Sequence, residues 1–149
     1  LLVGNYADAG YITEYARREM SDEHARTVRR YLETNGGDPA GERVADIDYQ
    51  GNVHLNQFWQ SYSLGNVRDR SFGDIWEDDS NPLVNALRSR EDRLQGPCTD
   101  CQYADICKGG SPLRSLAVHD DPFAPDPQCY LTRDERAPDT GGVEPTNAD

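Results

Sequence analysis

The feature that most narrows what this chain can fold into is the spacing of its four cysteines, C-x2-C-x5-C-x21-C, at Cys98, Cys101, Cys107 and Cys129. The first three lie in the run CTDCQYADIC and the fourth in DPQCYL. Four thiolates satisfy either a structural zinc ion or an iron–sulfur cluster, and a CxxC bite turns two sulfurs toward one centre without straining the backbone. A third ligand before a Gly-rich turn and a fourth from a distant loop would close the cage and tie together segments with few apolar contacts of their own. Two disulfides would use the same residues, but the opening LLV is too short for a signal peptide, and the expected cytoplasmic location keeps thiols reduced. Zinc sites more often present two CxxC knuckles, whereas Cys129 stands alone, so spacing by itself leaves zinc and iron–sulfur both open.

Composition makes an organising centre useful. An apolar fraction of 36% in 149 residues leaves little material for a large core, and the mean hydropathy is −0.86. The net charge is −12, from 27 acidic and 15 basic residues, and Lys108 is the only lysine. That balance argues against a nucleic-acid partner. Dense carboxylates with Arg in place of Lys suggest a halophilic protein that stays hydrated when salt screens its self-repulsion. No stretch reaches the ~20 apolar residues of a membrane span.

The pattern along the chain predicts an α+β fold. Tyr11, Ile12, Tyr15 and Ala16 recur at helical spacing between Ala7 and Met20. Ser21 then caps a second helix carrying Ala25, Val28 and Leu32 and stopping at Asn35-Gly36-Gly37. RVADIDYQGNVHLNQF alternates about Gln50-Gly51 and reads as a β-hairpin, and Gly65-Asn66 reads as a turn. Ser71 caps a short helix with Phe72, Ile75 and Trp76, and Asn81-Pro82 opens another with Leu83, Val84 and Leu87 on its buried side. From Gly96 to Leu131 periodicity stops and a loop-rich cysteine region is expected. The end of the chain is rich in Gly, Pro, Thr and Asp and reads as disordered.

A resemblance sharpens the cysteine pattern. The run GPCTDCQYADICKGGSPLRSLAV followed by DPQCYLT resembles the SPASM or twitch extension of radical SAM enzymes, as do GNVHLNQFW and SLGNVRDRSFGDIW upstream. It covers about residues 40 to 132 and implies that Cys98, Cys101, Cys107 and Cys129 hold one auxiliary [4Fe–4S] cluster. The second cluster of a full SPASM domain is not provided for. Its ligand positions fall at Asn56 and Ser111, and no cysteine precedes the hairpin. This single-cluster pattern with GNVH-x-x-QFW is similar to the heme-pathway branch of the family, which serves alternative heme synthesis and heme d1 formation. The opening NYADAGYITEY is similar to a late segment of that branch's catalytic barrel.

The resemblance implies three parts: residues 1–38 as the helical end of a partial α/β barrel, 39–132 as the auxiliary iron–sulfur domain, and 133–149 as a tail. The start without methionine reads as a fragment of a larger fold, with the missing barrel a partner in cis or trans. The CxxxCxxC loop that presents an iron to S-adenosylmethionine is not among these residues, so that cofactor would belong to a full-length parent. The expected role is electron transfer or substrate positioning in maturation of a heme-type tetrapyrrole, with the electron donor unspecified. Rival readings are a zinc-stabilised binding module, a SPASM domain of a peptide-maturing enzyme, and a pseudo-enzyme or stand-alone electron carrier.

Other residues invite a role without fixing one. His54, Asn56 and Gln57 follow the hairpin and are candidate substrate contacts, although a histidine satisfied within a core is commoner. Phe58, Trp59, Tyr62 and Trp76 suit a flat tetrapyrrole but are better read as core. Arg68, Arg70, Arg88 and Arg90 suit propionates or the surface equally, and His119-Asp120-Asp121 suits a metal or a solvated loop. No catalytic residue is assigned.

Overall fold

A computed structural model describes residues 5–138. Two helices come first, α1 (Asp8–Glu19) and α2 (Asp22–Asn35). Ser21 takes the N-cap of α2, its hydroxyl accepting the His24 amide at 3.4 Å, and Gly36 ends the helix at φ 65°. The face of α1 differs from the one its tyrosines suggested. Ala9, Thr13, Glu14 and Ala16 are buried, whereas Tyr11 and Tyr15 are about half exposed. Small side chains let α1 approach its neighbours closely, and Tyr11 packs edge-on against Tyr130 at 5.4 Å instead.

The hairpin forms and gains a third strand. β1 (Asp46–Ile47), β2 (Asn52–His54) and β3 (Gly65–Asn66) make an antiparallel sheet in the order β1-β2-β3. Asp46 pairs with His54, and Asn52 with Asn66. Gly65-Asn66, expected as a turn, is therefore a strand, because tertiary pairing overrides turn chemistry. The Asn66 side-chain amide donates to the Gln50 carbonyl at 3.1 Å and to Asn52 Oδ1 at 3.0 Å, drawing the segment onto β2.

α3 (Phe72–Trp76) and α4 (Pro82–Arg88) start at Ser71 and Asn81, whose side chains accept amide hydrogens of the first turn. The cysteine region is more regular than its sequence suggested. It holds α5 (Ala104–Cys107) and the eight-residue α6 (Pro112–His119), with Pro112 in the first turn and Leu113 and Leu116 toward the core. α7 (Arg133–Arg136) forms where an irregular tail had been expected from residue 133, held by a capping box in which Thr132 and Glu135 satisfy each other's amides. The rest of that expected tail, from residue 139, lies outside the described residues.

Two apolar cores result. One gathers Ala40, Leu55, Trp59, Val84 and Leu87 beneath the sheet. The other gathers Ala9, Leu32, Tyr103, Ile106 and Leu131, with Cys101, Cys107 and Cys129 packed against it. The helix pair thus shares its core with the cysteine segment.

Candidate metal centre

Cys98 ends a 3-10 turn, Gly96–Cys98, and Cys101 follows in the loop, its amide reaching the Cys98 carbonyl at 3.5 Å. Cys107 ends α5, where its amide donates to the Tyr103 carbonyl at 2.9 Å. Lys108 then adopts the left-handed conformation at φ 50°, turning the chain away. Cys129 sits in a second loop with its amide on the Asp126 carbonyl at 2.9 Å. All four thiols are free and half-buried, and all four line one cavity. Ala7, Tyr103, Leu131 and Arg136 contribute to its wall. Among the described residues no three His, Cys, Asp or Glu side chains are grouped to hold a single ion directly. The thiols surround a shared space instead.

Burial pushes the Cys98 thiol up to about 11 and Cys107 up to about 12, and the neighbouring thiols add to the rise by disfavouring a second negative charge. Burial also raises Cys101, against the opposing pull of the Tyr103 amide. The Arg136 guanidinium counters the rise at Cys98 and Cys101. Cys98, Cys101 and Cys107 would give up protons on taking up a cation. Four sulfur donors around one apolar cavity fit an iron–sulfur cluster in kind and number.

The loops that carry Cys107 and Cys129 are joined by Asp126, which is 3% exposed. Its Oδ2 accepts the Ser111 amide at 2.7 Å and Arg114 Nη2 at 2.6 Å, while Oδ1 accepts Arg114 Nε at 3.0 Å and the Gln128 amide at 2.9 Å. Burial pulls the Asp126 pKa up, but these donors more than reverse it and hold the carboxyl below its usual range. The approach is close enough that a β-carbon on Gly110 would lie 2.3 Å from Asp126 Oδ2, and Gly110 itself has φ 78°. Glutamate 14 serves α1 in the same way. Buried at 2% exposure, it accepts the Tyr103 hydroxyl and pairs with Arg17 at 3.1 Å and Arg18 at 3.3 Å.

His54, Asn56 and Gln57 do not line the cysteine cavity. His54 is buried, with Nδ1 2.8 Å from the Tyr62 carbonyl and Nε2 3.2 Å from Asp48 Oδ2. Asp48 also accepts the amides of Gln50 and Asn52, both at 2.9 Å, and so fixes the hairpin turn. Asn56 Oδ1 accepts the amides of Phe58 and Trp59, and Gln57 is exposed. Ser111 caps α6. Of the two ligand positions of a second cluster, Asn56 satisfies backbone amides through its side chain, and Ser111 donates its own amide to Asp126. Trp59 is core as expected, but Phe58 is 72% exposed because the Asn56-centred turn points it outward. Arg70 pairs with Asp78 at 2.9 Å, Arg88 lies over Trp76 at 5.0 Å, and Arg68 reaches the Tyr49 carbonyl at 3.4 Å. His119 and Asp120 end α6 in solvent, and Asp121 accepts the Phe123 amide.

Asp126, Glu14 and Arg136 were not singled out from sequence. A signal for Arg136 was present in the Thr132-x-x-Glu135 box, which places it in an ordered turn. For Glu14 nothing local marked the burial.

Residues 39–102 match the SPASM family, an iron–sulfur cluster-binding domain. The pre-heme d1 synthase of Dinoroseobacter shibae is 37% identical over 131 residues, 88% of this chain and 32% of that protein. The Fe-coproporphyrin III synthase of Methanosarcina barkeri is 36% identical over 138 residues, 91% of this chain and 34% of that protein. A PqqA peptide cyclase of Methylocella silvestris is 36% identical over 118 residues, 77% of this chain and 30% of that protein. The chain spans about a third of the length of these curated relatives. No solved structure matches it.

Proposed function

Because the chain carries a SPASM domain, of the iron–sulfur cluster-binding family, over residues 39–102, we propose that it is the auxiliary-cluster portion of a radical SAM oxidoreductase. In this reading Cys98, Cys101, Cys107 and Cys129 hold one [4Fe–4S] cluster, and S-adenosylmethionine is bound by a catalytic barrel outside this chain. The single observation that carries the reading is the convergence of four free thiols from two distant loops on one cavity. When bound, the cluster supplies a one-electron relay or a fixed platform beside the substrate. The chain's own residues hold the cage. Tyr103 and Leu131 wall it from solvent, the Tyr103 amide faces the Cys101 sulfur, and Asp126 keeps the two cysteine loops in register.

A heme-type tetrapyrrole is the proposed substrate class, supported by the names of two relatives at 36% and 37% identity over most of this chain. The setting is cytoplasmic, where thiols stay reduced, and no described helix is long and apolar enough to cross a membrane. A second reading, peptide maturation, is favoured by the PqqA peptide cyclase match over 77% of the chain.

Anaerobic reconstitution tests the central reading. The expected product is a brown protein with about four iron and four sulfide per chain. A colourless chain with one zinc and no sulfide refutes the cluster in favour of a zinc-stabilised module. Comparing binding of an iron porphyrin bearing propionates with binding of a carboxylate-bearing peptide to the parent enzyme separates the two substrate readings.

A further inference from the structure

Among the described residues the only buried side-chain nitrogens or oxygens without a hydrogen-bond partner are Nε, Nη1 and Nη2 of Arg90. The residue is 3% exposed, in the 3-10 turn Arg90–Arg93 after α4. A guanidinium carries five donors and stays charged, so leaving it buried and unpaired is costly unless opposite charge is close. Its neighbours show where that charge can come from. A β-carbon at Gly37 would lie 2.8 Å from Arg90 Nη2 and 3.0 Å from the Cys107 carbonyl oxygen, so the guanidinium and the backbone of Cys107 press on the same missing atom. Gly37, at φ 74°, leaves that gap open.

Burial lowers the Arg90 pKa and the Arg43 cation adds to the fall, while the Asp38 and Glu42 carboxylates and the nearby Cys107 position oppose it. Asp38 is buried and uses Oδ1 to accept the Ala40 amide at 2.9 Å, and it makes no hydrogen bond to the guanidinium. With neutral thiols, Arg90 therefore has only part of a counter-charge. Four thiolates on an iron–sulfur core carry net negative charge, and net charge near the sulfurs is one of the levers that set such a centre's potential.

We infer that Arg90 is a positioning residue for the four-cysteine site, a fixed positive charge behind Cys107 that favours the loaded and the reduced forms. The inference rests on the proposed iron–sulfur reading. It also gives the unpaired interior charge a use, since the guanidinium lies against the backbone of a cysteine that lines the cavity.

The test compares Arg90→Met, which keeps volume and removes charge, with Arg90→Lys, which keeps charge, in the anaerobically reconstituted chain. In Arg90→Met the reduction equilibrium falls about tenfold, a shift of about 59 mV to more negative potential for one electron, read by redox titration with electron paramagnetic resonance. Arg90→Lys restores most of that shift. Metal-free Arg90→Met melts no lower than the metal-free parent, whereas its loaded form releases iron several-fold faster to a chelator. A potential unchanged in Arg90→Met, with a full complement of iron and sulfide, overturns the inference and leaves the iron–sulfur reading standing. A parent chain that takes up no iron and sulfide overturns both. Should Arg90→Met not fold, Arg90→Gln carries the same comparison. Failure of both neutral variants to fold where Arg90→Lys folds assigns Arg90 a purely structural pairing with Asp38 and overturns the inference.

Discussion

Asp126→Ala is the substitution whose cost can be worked out most fully. The carboxylate is the common acceptor for the Ser111 amide, the Gln128 amide and the Arg114 fork. Its loss leaves the buried Ser111 amide unsatisfied, at about 1–3 kcal/mol. Breaking a buried ion pair costs about 3–5 kcal/mol, but the Arg114 side chain is 31% exposed and recovers water, which places this part at or below the lower end. Because the Ser111 bond belongs to the same network, the two figures overlap, and about 4 kcal/mol is expected in all. For a chain of this size that lowers the melting temperature by about 8–16 °C. The assay is thermal unfolding of the reduced, metal-free chain followed by circular dichroism, with Asp126→Asn, which keeps one amide acceptor, as an intermediate case. The effect has a pH signature as well. A carboxyl held below its ordinary value of about 3.9 stabilises the fold fully above that pH and loses the contribution as pH falls through the lower, folded value. The gap between parent and variant should therefore be complete at pH 6 and shrink below about pH 4. A variant that melts within about 2 °C of the parent at pH 7 would refute the claim that Asp126 joins the cysteine loops.

Cys101→Ala should lower both iron content and the melting temperature of the loaded chain, because the cage loses a ligand and its loops lose a tie; unchanged iron and melting would count against Cys101 as a ligand. Burial of His54 lowers its pKa, but hydrogen bonds to the Tyr62 carbonyl and Asp48 raise it overall above 6.5. Its contribution is thus present below the unfolded value and lost as pH rises through the folded one, so stability should decline above about pH 6.5 in the parent and not in His54→Gln. Iron content should stay unchanged in that variant, and its loss would refute the placing of His54 outside the metal site. Gly110→Ala should destabilise the chain, since the new methyl would meet Asp126 and the positive φ disfavours any side chain; melting equal to the parent would show that the Gly110 turn has room to relax.

What the sequence made legible follows the range of the interactions involved. Ser21, Ser71 and Asn81 cap the helices they were expected to cap, because a cap is decided by residues within one turn. The Gln50-Gly51 hairpin was legible for the same reason. β3 was not, since Gly65-Asn66 becomes a strand only when Asn66 meets Gln50 and Asn52 across the sheet. At the site, spacing and resemblance singled out four cysteines as proposed ligands, and the structure puts all four on one cavity. Asp126 and Glu14 were not, because their partners are distant in sequence: Arg114 and Ser111, and Tyr103. A buried charge looks like a surface charge until its neighbours are known.

The way α1 meets the segment after Cys129 beside the cysteines bears on the order of events during synthesis. Tyr130 donates to Asp8 across 122 positions, and Leu131 shares a core with Ala9 and Leu32. Helices α1 and α2 leave the ribosome long before Cys129, and contacts of such long range form late because the intervening loop must first close. The cavity lined by the CxxC pair and Cys107 is therefore incomplete until that late contact brings Cys129 to it. Arrival of the DPQC segment then completes the cavity that the four cysteines share.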